Sequence, residues 1–526
     1  MKKILSTYKW YINDNISVTG SIRIGENLLS DKKLATWFAA SKNIKDLKEK
    51  LLHANGQFAL VIEKDDEVWA ATDRLRTIPL FYQITDNLIT ISDSANTLVN
   101  RSLHPEIDEN SASEFLATGY TLNNHTLIKD LFQIEAGEIV ILKNKVQREF
   151  YFDFYTDCIY KRPFDHATNE LVTILHRIFL ERLSALSEKF IVVPLSGGYD
   201  SRLIANMCKK YHPENLLCYT YGRADNREVA PAKEVARRLN LPWVNIIYDE
   251  KLVRGFIRDS DFKKYYAYAS ELSSMFFMQE YFAVQYLKHK NLVPWDSVFI
   301  PGFSGNILAG GHLRKSMWHS SKENTINTIL RNHFILNKIN SESRGNFINA
   351  IEEKISVGNI SPWLMYENWE MKERQSKFIT NSSRAFTFFG FDCDMPFWDN
   401  ELLDFFKCLP FRYKLNKSLY DFTLTNCIFK ESNLNFSKEL NPKPFQLELQ
   451  LYKNKLKGIL PYKLLSLFIN YQSPVLYDVI SKYLIFDKGV KNFVTPPEPN
   501  NYNSYLVQWY LLKAREFIST KENKDL

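Results

Sequence analysis

The chain has 526 residues, enough for roughly two to four domains with sizeable cores. Its 45% apolar and 24% charged content is that of an ordinary globular protein, and 37 Phe with 28 Tyr argue against long disorder. Lys and Arg outnumber Asp and Glu by only 67 to 60, with no dense basic run, so no nucleic-acid partner is expected.

No apolar run approaches the ~18–20 residues needed to span a membrane. The opening Met1-Lys2-Lys3-Ile4-Leu5-Ser6 reaches polar residues too soon for a signal peptide. Six cysteines (158, 208, 218, 393, 408 and 427) lack C-x-x-C spacing, and ten histidines form no H-E-x-x-H set. This pattern predicts reduced, mostly buried thiols in a cytoplasmic protein without a zinc site.

Residues 1 to about 150 read as mainly β. Extended runs at 57–63 and 67–72, 80–84 and 88–92, and 138–142 and 146–152 pair through short polar turns. Helical apolar spacing appears at 44–54 and at 110–118. A polar patch at 160–169 reads as a linker, followed by a helix over 170–186.

The stretch from Ile191 to Ala205 contains Ser196-Gly197-Gly198-Tyr199-Asp200-Ser201 after an apolar strand and before an amphipathic helix. Glycines let the backbone approach a ligand closely, and the free N–H groups of the first helical turn can bind phosphate. Asp200 adds a carboxylate suited to Mg²⁺. The loop lacks the G-x-x-x-x-G-K-[ST] pattern of a Walker loop. A tight strand-to-helix turn without ligand is the competing reading.

Beyond it, 216–221 reads as a strand, 229–239 as a helix and 243–248 as a strand. That alternation predicts a parallel sheet with ligand at the carboxyl ends of its strands. Residues 225–234 are a solvated helix start or a nucleotide contact. Val298 to Gly311 is a second strand and Gly-rich loop. Asp399 is placed to cap the helix that carries Leu402, Leu403, Phe405 and Phe406. A last helix is expected over 505–517.

The string Ser196 to Ser201 resembles the pyrophosphate loop of ATP pyrophosphatases. Gly56-Gln57-Phe58-Ala59-Leu60-Val61 and Asp73-Arg74-Leu75-Arg76-Thr77-Ile78-Pro79-Leu80-Phe81-Tyr82 resemble the later part of an asparagine synthetase glutaminase domain. The order of these segments resembles the asparagine synthetase family, which includes the β-lactam synthetases. The resemblance implies an α/β protein in two parts. Residues 1–155 would form a layered, mostly β, Ntn-hydrolase-like class II amidotransferase domain. Residues 165–526 would form a parallel-sheet ATP pyrophosphatase-like domain with helical additions.

It also implies an ATP- and Mg²⁺-dependent ligase that adenylates a carboxylate and passes ammonia or an amine to it. Related enzymes make free asparagine, β-lactams, or amides on sugars and peptides. Ser196, Gly197, Gly198, Asp200, Ser201 and Gly302 would hold ATP and pyrophosphate, and Asp200 and Asn306 the metal. Lys443, in Asn441-Pro442-Lys443-Pro444-Phe445, matches the family lysine that stabilises the adenylate better than Lys417 does; a solvated surface lysine is the alternative for either.

Two family carboxylates are replaced, by Phe303 and Asn306, and a following acidic position is Ile307. A nucleotide-binding homologue with an assembly or regulatory role therefore stays open, as does a nucleic-acid-modifying adenylating enzyme. A homo-oligomer is compatible with the sequence. Position two is Lys2, where glutamine-hydrolysing relatives carry a cysteine nucleophile, so glutamine hydrolysis is not expected.

Overall fold

A computed structural model describes residues 2–436 except 26, 65, 86–87, 144, 157, 160, 339–340, 357 and 359, together with 473, 475–485, 487 and 502–522. The first part holds eleven strands: β1 (Lys2–Ile4), β2 (Trp10–Asn13), β3 (Ile16–Ile24), β4 (Asn27–Ser30), β5 (Asn55–Lys64), β6 (Glu67–Thr72), β7 (Phe81–Thr85), β8 (Leu88–Ser92), β9 (Leu131–Gln133), β10 (Glu138–Leu142) and β11 (Val146–Phe150). They form a four-stranded sheet in the order β1-β8-β7-β9. A second sheet runs β11-β10-β6-β5-β3-β2, with β4 on β3.

Strand alternation explains how these sheets are covered. Ala59 and Val61 of β5, with Val68, Ala70 and Val140, join Tyr82, Ile89 and Ile91 in a core between the two sheets. The alternate residues Phe58, Leu60 and Ile62 belong instead to a core shared with helix Phe164–Ser184 and strand residues Ile191 and Val193. One sheet therefore serves both halves of the molecule.

The second part is built on five parallel strands: β12 (Ile191–Pro194), β13 (Leu216–Gly222), β14 (Trp243–Ile247), β15 (Val298–Phe299) and β16 (Asp392–Cys393). Their order is β14-β13-β12-β15-β16. The chain runs outward from β12 to β14 and then returns to the other side of β12. The strand order thus reverses between β12 and β15, which opens a crevice at their carboxyl ends. This is the α/β class read from the sequence, a β-rich first part and a parallel-sheet second part.

Some expectations need correction. No strand was expected ahead of residue 57, yet β1 to β4 and helix Asp31–Ala39 lie there. The helix expected over 170–186 begins at Phe164, whose ring packs edge-on against Tyr413 and Phe422. That aromatic anchor consumes much of the expected linker. Of the six cysteines only Cys208 and Cys218 are buried, and Cys158 is exposed. The last helix extends over Tyr502–Glu522. Asp399 does cap helix Asn400–Lys407, accepting from the Glu401 N–H at 3.1 Å. Among the described residues no helix is long and apolar enough to cross a membrane.

Candidate active site

β12 ends at Pro194, and the chain turns through Ser196, Gly197 and Gly198 into helix Tyr199–Tyr211. The turn is held by its own hydroxyls. The Ser196 N–H donates to Ser201 Oγ at 3.1 Å, the two Oγ atoms lie 2.9 Å apart, and the Gly198 N–H donates to Ser196 Oγ at 3.2 Å. Gly197 lies under the turn, where a Cβ would come within 2.2 Å of Pro231 Cβ. No side chain caps this helix, so its first N–H groups stay available to an anion.

The second Gly-rich loop follows β15 and sits directly on the first. A Cβ at Gly302 would lie 3.1 Å from the Ser201 nitrogen, and one at Gly305 would lie 2.7 Å from Asp200 Cγ. This approach lets the Asn306 N–H donate to Asp200 Oδ2 at 2.9 Å, while the Tyr420 hydroxyl donates to Oδ1 at 2.8 Å. Burial raises the Asp200 carboxyl above its ordinary range, with the Tyr420 hydroxyl acting in the opposite direction. Asn306 is exposed, and its side-chain oxygen lies over Gly311.

The two loops bound a cavity of about 610 Å³. Ser196, Gly198, Asp200, Ser201, Gly302 and Asn306 all line it, with Asn226 and Glu228 contributed by the segment weighed as a nucleotide contact. Lys443 lies outside the described residues. Lys417 is at the cavity, in a left-handed turn (φ 58°), 3.1 Å from Asp421 Oδ1 and over the Tyr199 ring. Its signal was local, a basic residue in a short polar turn before helix Ser418–Thr423.

The far wall carries groups that no sequence motif marked. The Tyr221 hydroxyl donates to Glu280 Oε1 at 2.9 Å, and both residues line the cavity. Burial pushes the Glu280 carboxyl up to about 7, against the pull of the Tyr221 hydroxyl, and its Oε2 has no hydrogen bond. Phe303 lines the cavity too and stacks near Phe386, their ring centroids 6.4 Å apart. Behind the loop, Ser304 Oγ donates to Gln375 Oε1 and Gln375 Nε2 to Glu370 Oε1, each at 2.7 Å. The second loop is thereby tied to a buried π-helical segment, Glu370–Ile379.

Among the described residues no group of three or more His, Cys, Asp or Glu is gathered as a metal cluster. The cavity nevertheless suits a nucleotide with its magnesium ion. An uncapped helix start and Lys417 offer positive charge to phosphates, and Asp200 and Asp421 offer two carboxylates on the same wall.

Residues 44–152 match the glutamine amidotransferase domain, and residues 185–423 match asparagine synthase. This domain content and order match the architecture of the asparagine synthetase family. These are the domains of ATP-dependent amidating ligases. A comparison with curated proteins gives no match.

Among solved structures, the chain is similar to an NH3-dependent NAD synthetase from Campylobacter jejuni in complex with the nitrate ion. The two are 16% identical with a TM-score of 0.19, over 38% of this chain and 97% of that one. A glutamine phosphoribosylpyrophosphate amidotransferase from B. subtilis, complexed with ADP and GMP, is 12% identical with a TM-score of 0.18. It is matched over 62% of this chain and 61% of its own length. A structure described as the allosteric regulatory enzyme of purine biosynthesis is 13% identical with a TM-score of 0.18, over 62% and 60%. The chain thus spans about three fifths of those last two.

Proposed function

We propose that this chain activates a carboxylate with ATP and couples it to ammonia or an amine. The observation that carries this reading is the contact of two Gly-rich loops on Asp200, at the point where the strand order reverses. In the first step a carboxylate oxygen of the substrate attacks the α-phosphorus of ATP. The bond to the bridging oxygen breaks and pyrophosphate leaves. In the second, an amine nitrogen attacks the acyl carbon, AMP departs and the nitrogen loses a proton.

Ser196, Gly197, Gly198 and Ser201 form the cradle for the departing pyrophosphate, with Gly302 closing it from the second loop. Lys417, which lines the cavity, would stabilise charge on the phosphates, the role the sequence assigned to Lys443, which lies outside the described residues. Asp200 and Asp421 would hold Mg²⁺, with Asn306 able to add an amide oxygen at the cavity edge. The ion would supply charge neutralisation on the phosphate oxygens. The acceptor is a small-molecule, saccharide or peptide carboxylate.

The replacement of two carboxylates by Phe303 and Asn306 favours a second reading, a nucleotide-binding homologue that has lost turnover. Asp200→Ala separates the two. If the chain is an enzyme, the wild type releases pyrophosphate and AMP from ATP, and Asp200→Ala loses at least about a hundredfold of that rate. Nucleotide binding by both proteins, with no turnover by either, would establish the second reading. Release of ADP would overturn the reaction class.

A further inference from the structure

A second cavity, of about 330 Å³, lies where the β-rich first part meets the parallel-sheet part. It shares no lining residue with the nucleotide cavity. Tyr8 and Arg23 reach it from the first part, and Arg182, Arg384 and Asp394 from the second. Three guanidinium groups thus line one small cleft.

Among the described residues, Arg182 is the one of the three with carboxylate partners. Arg182 bonds Asp394 and holds Asp399 through Nη2 at 2.9 Å and Nε at 3.2 Å. Arg384 is 5% exposed and, among the described residues, has no ion pair; its guanidinium is flanked by the Tyr8 and Tyr268 rings, each centroid 5.4 Å from Cζ. Its Nε is buried without a hydrogen bond, as is the Nε of Arg23. The Tyr8 hydroxyl is also buried and unbonded. Burial lowers Arg384 to about 9, and it lowers Arg23 as well, helped by neighbouring Arg182 and resisted by Asp394 and Asp399.

A buried guanidinium without a counter-charge is costly, and removing such a cost is what a bound anion does. The planar fork of Arg suits a carboxylate or a phosphoryl group. One acceptor is also left over, since Asp394 Oδ2 is buried without a hydrogen bond. A ligand that fits this set presents an oxyanion to the arginines and a donor group to Asp394. Asp392, the other carboxylate on the wall, is exposed.

We propose that the cavity bounded by Tyr8, Arg23, Arg384 and Asp394 binds a small oxyanion that also carries a hydrogen-bond donor. The ligand bridges the two parts of the molecule at a distance from the nucleotide cavity. Its recognition does not depend on the ligase reading, because it uses none of the same residues.

The test is thermal unfolding of the full chain at constant ionic strength, in chloride and with added malate, succinate or inorganic phosphate. A bound anion stabilises the folded state in a saturable way. Malate, with its hydroxyl donor, is expected to raise Tm by several degrees and more than succinate does. A larger shift with phosphate assigns the phosphoryl class to the same site.

Arg384→Met is expected to raise Tm in chloride, because it removes an unpaired buried charge, and to abolish the shift with every anion. If that variant does not fold, Arg23→Gln gives the second reading: the malate midpoint moves up at least tenfold. No anion exceeding chloride in the wild type, or an undiminished response in the Arg384 and Arg23 variants, would overturn the site. An anion shift lost in Asp200→Ala but kept in Arg384→Met would place binding at the nucleotide loops and also overturn it.

Discussion

Asp200 owes its position to partners 106 and 220 residues further along, the Asn306 N–H and the Tyr420 hydroxyl. Both donate to the carboxylate and so aim it and favour its charged form, while burial, the larger effect, raises its pKa above the ordinary range. Lys417 is the cation that shares this wall. Lys417→Ala should cut pyrophosphate formation by about 10²–10³ with little loss of folding, and Lys417→Arg should recover part of it. Equal rates for Lys417→Ala and wild type would remove that residue from the site.

Glu280 makes a different kind of prediction. Its carboxyl sits at about 7 in the folded protein and has an ordinary value of 4.5. Between those values the unfolded chain loses the proton while the folded one keeps it. Stability from this group is therefore complete below about 4.5 and falls as the pH rises through 7. Glu114 and Glu271, both pushed up to about 8 by burial, carry the same decline further. Glu280→Gln should match wild type near pH 5 and exceed it by about 1–3 kcal/mol at pH 8, measured by denaturant unfolding. A constant difference across that range would mean that Glu280 is not protonated in the fold.

The Gly-rich loops show which elements a sequence reveals and which it hides. The Ser196–Ser201 turn was legible because strand, glycines and helix follow one another in sequence, and hydroxyl bonds within the turn set its shape. The contact between the loops was not legible, since it depends on β12 and β15 becoming neighbours across more than a hundred residues. The π-helical segment Glu370–Ile379 defeats pattern reading for another reason. Glu370, Lys372, Glu373, Gln375 and Lys377 are buried there, where periodicity places polar residues in solvent. Strand β3, where Ile16, Val18 and Ile22 alternate with Ser and Thr, was legible in principle, whereas β1, β2 and β4 are only three or four residues long and show no period.

Gly197 tests the element scale directly. Its α-hydrogen faces Pro231 in helix Val229–Leu239, and a Cβ at 2.2 Å cannot fit without moving that helix. Gly197→Ala should destabilise the protein by about 1–3 kcal/mol and weaken ATP binding together with it. Unchanged stability with lost binding would point to a purely local role for this glycine.

At the scale of the whole molecule, the two parts are joined by groups that would be costly to separate. Asn55 Nδ2 donates to Asp399 at 2.9 Å, Asn400 Nδ2 to the Ala54 carbonyl at 2.9 Å, and Lys377 Nζ to the Asn123 carbonyl at 2.6 Å. Lys354 pairs with Glu135, which also bonds Arg148, so buried charges of both parts form one network. An amidotransferase-type domain is thus joined to the parallel-sheet part by buried polar contacts. On the proposed reading this part acts as a scaffold, and nitrogen reaches the acyl-adenylate as ammonia or as an amine.

The central claim is that ATP is cleaved between its α- and β-phosphates to activate a carboxylate. The measurement that tests it most directly is exchange of labelled pyrophosphate into ATP by the purified chain with Mg²⁺, across aspartate, glucuronate and short acidic peptides. The account predicts exchange that appears with one class of carboxylate, needs no amine, and disappears in Asp200→Ala. Turnover of ATP to ADP and phosphate with no exchange under any of these carboxylates would contradict it.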